Sequence, residues 1–210
     1  MTVSFPYTLS YFADQLELTS VRPELLRFDE QSGSGDGRIW AAQLARPLWQ
    51  VSGALRPRSA AKAREINAKA AALDGSNKTF VWANPVYAPA AGATTLPGVT
   101  VSAIASERGR ISLTGLPSGR VVTAGDYLSI GYSGRYYFGA FAETLTANGS
   151  GNIANIEIRP YLPLGISAGA VVELGQPKMF AFIPPGGFTP FEETPDGNAV
   201  GASIRLLQKP

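Results

Sequence analysis

Neither cysteine nor histidine occurs among the 210 residues. Without cysteine no disulfide can form, and no iron–sulfur cluster or cysteine-based zinc site can be built. Without histidine there is no Ser-His-Asp or Cys-His catalytic pair and no imidazole switch near neutral pH. Carboxylates, Lys, Arg, Tyr, Ser and Thr remain for any chemistry. Charge is also sparse, at 16% of residues against roughly 25% in an ordinary soluble domain. No apolar run reaches the ~18 residues of a membrane-spanning helix, so no membrane insertion is expected. Residues 1–11 have neither a basic start nor an apolar stretch, and no signal peptide is expected there.

What is abundant is glycine and proline. The 23 glycines and 16 prolines make up nearly a fifth of the chain, against about 12% in average usage. Low charge with many Gly, Pro and apolar residues suits an all-β protein or an assembly subunit. A chain of this length can bury ~70% of its unfolded surface, enough for a core without metals or disulfides. The 18 basic and 16 acidic residues leave a net charge of +2, too balanced for a nucleic-acid-binding footprint.

One segment predicts a helix. Residues 59–73 are rich in Ala, the best helix former, and Ser59 suits the N-cap. Ala63, Ile66, Ala70 and Leu73 share a face. Glu65 and Lys69 stand four apart in the favourable order, and Lys62, Lys69 and Lys78 read as surface charge. Asp74-Gly75 supplies the stop.

Nearly everything else predicts strand and turn. Residues 25–29, 38–45 and 48–55 are short strand candidates. A flexible loop, Gln31 to Gly37, separates the first two, and Arg46-Pro47 separates the last two. A strand at 79–82 ends at Asn84-Pro85. Residues 88–98 are small and uncharged, and read as a linker. Short strands then recur at 99–105, 110–113, 127–131, 135–141, 153–159 and 170–174, without helical periodicity between them. Ser133-Gly134 and Asn148-Gly149 mark turns. That spacing predicts a small closed β-barrel or sandwich. Residues 178–183 and 199–207 predict closing strands, with Pro184 to Asn198 as a loop between them. The expected architecture is mainly β: a sandwich or barrel with one packed helix, formed by residues 1–88 plus 176–210, and a small β-barrel inserted at 89–175.

No catalytic, cofactor-binding or metal-binding residue stands out, and no cofactor is expected. The glycines of 33–37 fit neither a dinucleotide fingerprint nor a P-loop, and read as a hairpin loop. Glu192 and Glu193, with Asp196, form the densest acidic group. Paired carboxylates can serve as acid and base or hold a cation, but strand neighbours point apart. Pro190, Pro195 and Gly197 favour an exposed loop. Arg135-Tyr136-Tyr137-Phe138 interleaves cation and aromatics as a base-stacking strand does. Five basic and five acidic residues in 89–175 give no electrostatic funnel, so ordinary barrel filling is expected. Tyr127 beside Asp126 lacks any activating histidine or cysteine and reads as packing.

The order of elements carries more. Paired runs surround Trp40 and Trp49, and Arg46-Pro47-Leu48-Trp49 leads into Leu55. One amphipathic helix and the strand around Phe80-Val81-Trp82 follow. The insert has Gly125-Asp126-Tyr127-Leu128 near its centre and Arg159-Pro160-Tyr161-Leu162-Pro163 near its end. This arrangement resembles the distal tail proteins of long-tailed, siphovirus-like phages and of gene transfer agents. The resemblance implies a non-enzymatic virion subunit, assembled in a host cytoplasm. It implies a ring, usually a homohexamer, at the distal end of the tail. The partners so implied are further copies of the chain, the tail tube protein above and the tip or baseplate hub proteins below. The loops Gln31 to Gly37 and Pro184 to Asn198 are the expected neighbour contacts. Three alternatives stand beside it: a tail-tube or baseplate subunit at another level, a carbohydrate- or ligand-binding module using Tyr132, Tyr136, Tyr137 and Phe138, and a hydrolase using Glu192 or Glu193.

Overall fold

The computed structural model describes residues 4–33, 35–92, 96 and 98–210. Strand accounts for 46% of the chain and helix for 8%, so the expected class, mainly β with one packed helix, is the one adopted. A long hairpin comes first, from β1 (Arg22–Gly33) and β2 (Ile39–Ala54). The short β3 (Arg58–Ser59) leads into helix α1 (Ala60–Ala72), and β4 (Phe80–Ala83) follows. Then come β5 (Thr100–Ile104), β6 (Arg110–Thr114), β7 (Val121–Val122), β8 (Tyr127–Tyr132), β9 (Arg135–Phe141), β10 (Leu145–Thr146), β11 (Ile153–Arg159) and β12 (Val172–Glu173). The chain closes with β13 (Lys178–Phe182), β14 (Phe188–Thr189), β15 (Glu192–Glu193), β16 (Asn198–Val200) and β17 (Ser203–Gln208). Among the described residues no helix is long and apolar enough to cross a membrane.

The first sheet runs β1-β2-β17-β13-β4, with β14 beside β17. Pro47 does not divide β2. The β1–β2 register shifts between Leu26 and Phe28 and again between Phe28 and Asp29, which places Pro47 in a bulge where a ladder N–H is not required. The two runs expected at 38–45 and 48–55 are therefore one strand, and Gln31–Gly33 belongs to β1 rather than to the loop. The segment expected as a loop from Pro184 to Asn198 likewise contains β14 and β15, and β15 pairs with β16, which pairs with β3.

Helix α1 buries Ala63, Ile66, Ala70 and the following Leu73, the face read from the spacing. Ser59 occupies the N-cap without a side-chain hydrogen bond. Lys69 is not surface charge. Its Nζ lies 4.3 Å from the Tyr11 ring centre and donates to the Tyr11 carbonyl, Gln15 Oε1 and Glu65 Oε1. It thereby ties the helix to the N-terminal segment. That segment brings Tyr7, Phe12 and Leu16 into the core, and Tyr7 bridges Phe80 along the edge of β4.

The second sheet runs β12-β8-β9-β11-β6-β5. It closes on itself through the Thr100–Val171 bridge, with backbone bonds from Val101 N to Ala170 O and from Val172 N to Val99 O, both 2.9 Å. A barrel results, and side chains such as Leu113, Leu128, Ile130 and Ile156 fill it. Asn155, with φ 58, shifts the β11 register, so Ile153 and Ile156 both point inward despite their odd spacing. Of the segment expected as a linker, residues 93–95 and 97 lie outside the described residues. Residues 90–92 are tied down: Ala90 N donates to Asp126, and Arg120 donates to the carbonyls of Ala91 and Gly92.

Strand β9 joins the two sheets because both of its faces are buried. Tyr137 and Phe141 point into the barrel. Tyr137 lies across Gly139, where a Cβ would come within 2.4 Å of the phenol oxygen, so a side chain there would force the buried ring to move. Phe138 points the other way and belongs to the core of the first sheet. It packs edge-on against Trp49 (centroids 5.5 Å apart) and Trp82 (6.3 Å), and stacks on Tyr127 (5.2 Å). Trp49 Nε1 donates to the Phe138 carbonyl at 3.1 Å. Trp49→Phe keeps most of the ring contact and leaves that buried carbonyl unpaired, so we expect a loss of about 1–3 kcal/mol. Phe138→Ala should cost about 3–5 kcal/mol. Urea unfolding, followed by tryptophan fluorescence, checks both values and their order.

Candidate functional site

Beyond the first core, the β1–β2 hairpin continues as an arm. Every described residue from 27 to 46 is exposed, on both faces of the ribbon. The side chains are not those of a solvated hairpin. Ile39 is 72% exposed, Trp40 69% and Leu44 68%, and Phe28 is also exposed. Opposed residues share a face, so Trp40 lies across from Ser32 and diagonal to Glu30, on the side that also carries Phe28. An isolated two-stranded ribbon is at best marginally stable in water. Nothing in the described chain covers this one.

At the base of the arm, between it and one end of the barrel, is a groove of about 570 Å³. Tyr132, Tyr136, Pro160 and Tyr161 form its apolar lining, with Arg27 and Arg46 on the arm side. The barrel side is held firmly. Arg108, in the turn between β5 and β6, donates to the carbonyls of Leu162 (3.1 Å), Pro163 (2.5 Å) and Ile166 (2.6 Å). Its neighbour Gly109 faces Tyr161 so closely that a Cβ would lie 2.7 Å from the ring. The Arg159 guanidinium covers the other part of Tyr161, 4.9 Å from the ring centre. Tyr137 donates its hydroxyl to the Pro160 carbonyl, and burial pushes that phenol well above the ordinary tyrosine range. Arg27 and Arg46 have no acidic partner among the described residues, and on the arm Asp29 and Glu30 have no basic one.

The residues singled out in the sequence fall in different places. Tyr132 and Tyr136 line the groove. Tyr137 is inside the barrel and Phe138 is inside the first core, so the four-residue aromatic set does not form one surface. Glu192 and Glu193 are adjacent, exposed strand residues that face opposite ways, and Glu193 meets Arg64 at 3.5 Å. Asp196 accepts from the Thr194 hydroxyl and from Asn198, which hold its carboxyl below the usual range. The described residues contain no group of three or more side chains able to hold a metal ion. The Asp126 carboxylate accepts from Thr123 N and Ala90 N. Tyr127 sits among Trp49, Tyr87 and Phe138. The glycines of 35–37 form the tip of the arm.

Arg46 and Tyr161 stand out in the sequence only within the motifs that carry the resemblance, and Arg27 not at all, because the groove unites segments over 100 residues apart. No family model matches this chain, and no curated protein matches it.

With neither histidine nor cysteine, no side chain of ordinary pKa titrates between about pH 6 and 8, and the melting temperature should be flat there. Tyr137, and Tyr87 likewise raised by burial, make stability decline at higher pH. The unfolded chain ionises its tyrosines from about pH 10 while the folded chain keeps these two protonated, so that contribution is complete below pH 10 and is lost above it. At the acid end, Lys69 and Lys62 hold the Glu65 carboxyl down to about 2. Its contribution is present above about pH 4.5 and lost as pH falls towards 2. Melting curves from pH 2 to 11 test the profile, and Tyr137→Phe should flatten its alkaline limb.

Proposed function

We propose that the chain is a structural subunit of a phage-type tail. It forms a ring, hexameric by resemblance, at the distal end of the tail, between the tail tube protein and the tip or baseplate hub proteins of a phage or gene transfer agent. The subunit works by shape and carries out no reaction. The observation that carries this reading is the arm, a ribbon extending about 20 Å from the body at ~3.3 Å per residue. It exposes Trp40, Ile39 and Leu44, which a lone protein has no reason to leave in water. Burial against neighbouring copies supplies the missing half of its core. Contacts between unlike faces of identical subunits close into a ring when the rotation permits. The order of elements that resembles distal tail proteins supports the same reading.

Purified protein viewed by negative-stain microscopy should form rings with a central opening. Replacing residues 30–42 with an Asn-Gly turn, which joins the paired Asp29 and Gln43, should preserve the melting temperature and abolish the rings. Rings that persist without the arm, or dispersed monomers of the intact chain at high concentration, would refute the reading.

A further inference from the structure

The groove and the part of the arm that does not line it complement one another. On the arm, Trp40 supplies a large aromatic anchor with Glu30 diagonal to it. The groove is lined by Tyr132, Tyr136 and Tyr161, with Arg27 and Arg46 on the arm side and Glu107, Arg108 and Arg159 on the barrel side, a basic excess. Its volume of about 570 Å³ lies within the ~300–1,000 Å³ that concave binding sites span. The two surfaces also lie on opposite faces of the same ribbon. Arg27 alternates with Phe28 and Glu30 along β1, on the face that Leu25 presents to the core.

We propose that the arm of one copy seats in the groove of a second copy, with Trp40 between the tyrosines and Glu30 against the arginines of the rim. Charge complementarity favours this occupant, because among the described residues Glu30 has no basic partner and neither Arg27 nor Arg46 has an acidic one. A contact made in one direction leaves a free groove at one end of a dimer and a free arm at the other. Each copy offers one arm and one groove, so the contact repeats head to tail wherever two copies do not exchange arms reciprocally. Buried aromatic and arginine contacts of this kind carry most of the binding energy in an interface. The inference deepens the ring reading and rests on it.

The absence of native cysteine allows a direct test. Ser32→Cys places a thiol opposite Trp40 on the arm, and Glu107→Cys places one at the groove. The two variants, prepared separately, are mixed at high concentration and oxidised, with melting curves to verify folding. We expect a disulfide between the two kinds of chain, in clear excess over links between like chains. Adding Trp40→Ser to the arm variant should lower its yield about tenfold or more, because an exposed anchor can be removed without unfolding the body. Rings that assemble without this cross-link would overturn the docking and leave the ring reading intact. No association at any concentration, together with no cross-link, would overturn both.

Discussion

The hydrogen bond from Trp49 to the Phe138 carbonyl, with the aromatic contacts around it, is the constraint on which the rest of the structure depends. It holds β2 of the first sheet against β9 of the barrel. Phe138 meets Trp49, Trp82 and Tyr127, while Tyr137, one residue earlier, fills the barrel. One strand thus serves two cores. The groove follows directly, because its walls are Tyr132 and Tyr136 from the β8–β9 hairpin and the base of the arm carried by β2.

The arm shows the opposite condition. The core of the first sheet ends near Trp49 and Leu25, and the ribbon continues without one. Two register shifts mark the transition, with Pro47 inside the first of them. The arm is not sparse in charge: Arg27, Asp29, Glu30, Asp36, Arg38 and Arg46 stand among its exposed apolar side chains.

Local patterns were readable where one element decides its own environment. Ala63, Ile66, Ala70 and Leu73 declared the buried face of the helix, since a 3.6-residue period needs only one apolar neighbour surface. The strands at 135–141 and 153–159 were legible from their residue types and turns. Patterns failed where two environments met. In β9, Tyr136 to Phe138 do not alternate between core and solvent, because both faces are covered. Lys69 resembled any solvent-facing lysine on a helix until Tyr11 and Gln15 folded over it. Pro47 resembled a break until its position in a bulge accommodated it.

The mainly β class, the single Ala-rich helix and the exclusion of histidine and cysteine chemistry follow from the amino-acid order alone. Each of these depends on composition or on residues within one turn or one strand of each other. Only the tertiary structure decided that Phe138 is buried, that Glu192 and Glu193 face apart, and that Tyr161, Tyr132 and Arg46 line one groove. Such relations depend on the pairing of β2 with β17 and on the closure of β5 with residue 171 of the β12 segment, contacts between residues far apart in the chain. Side-chain period is a local property, but the identity of what covers each face is not.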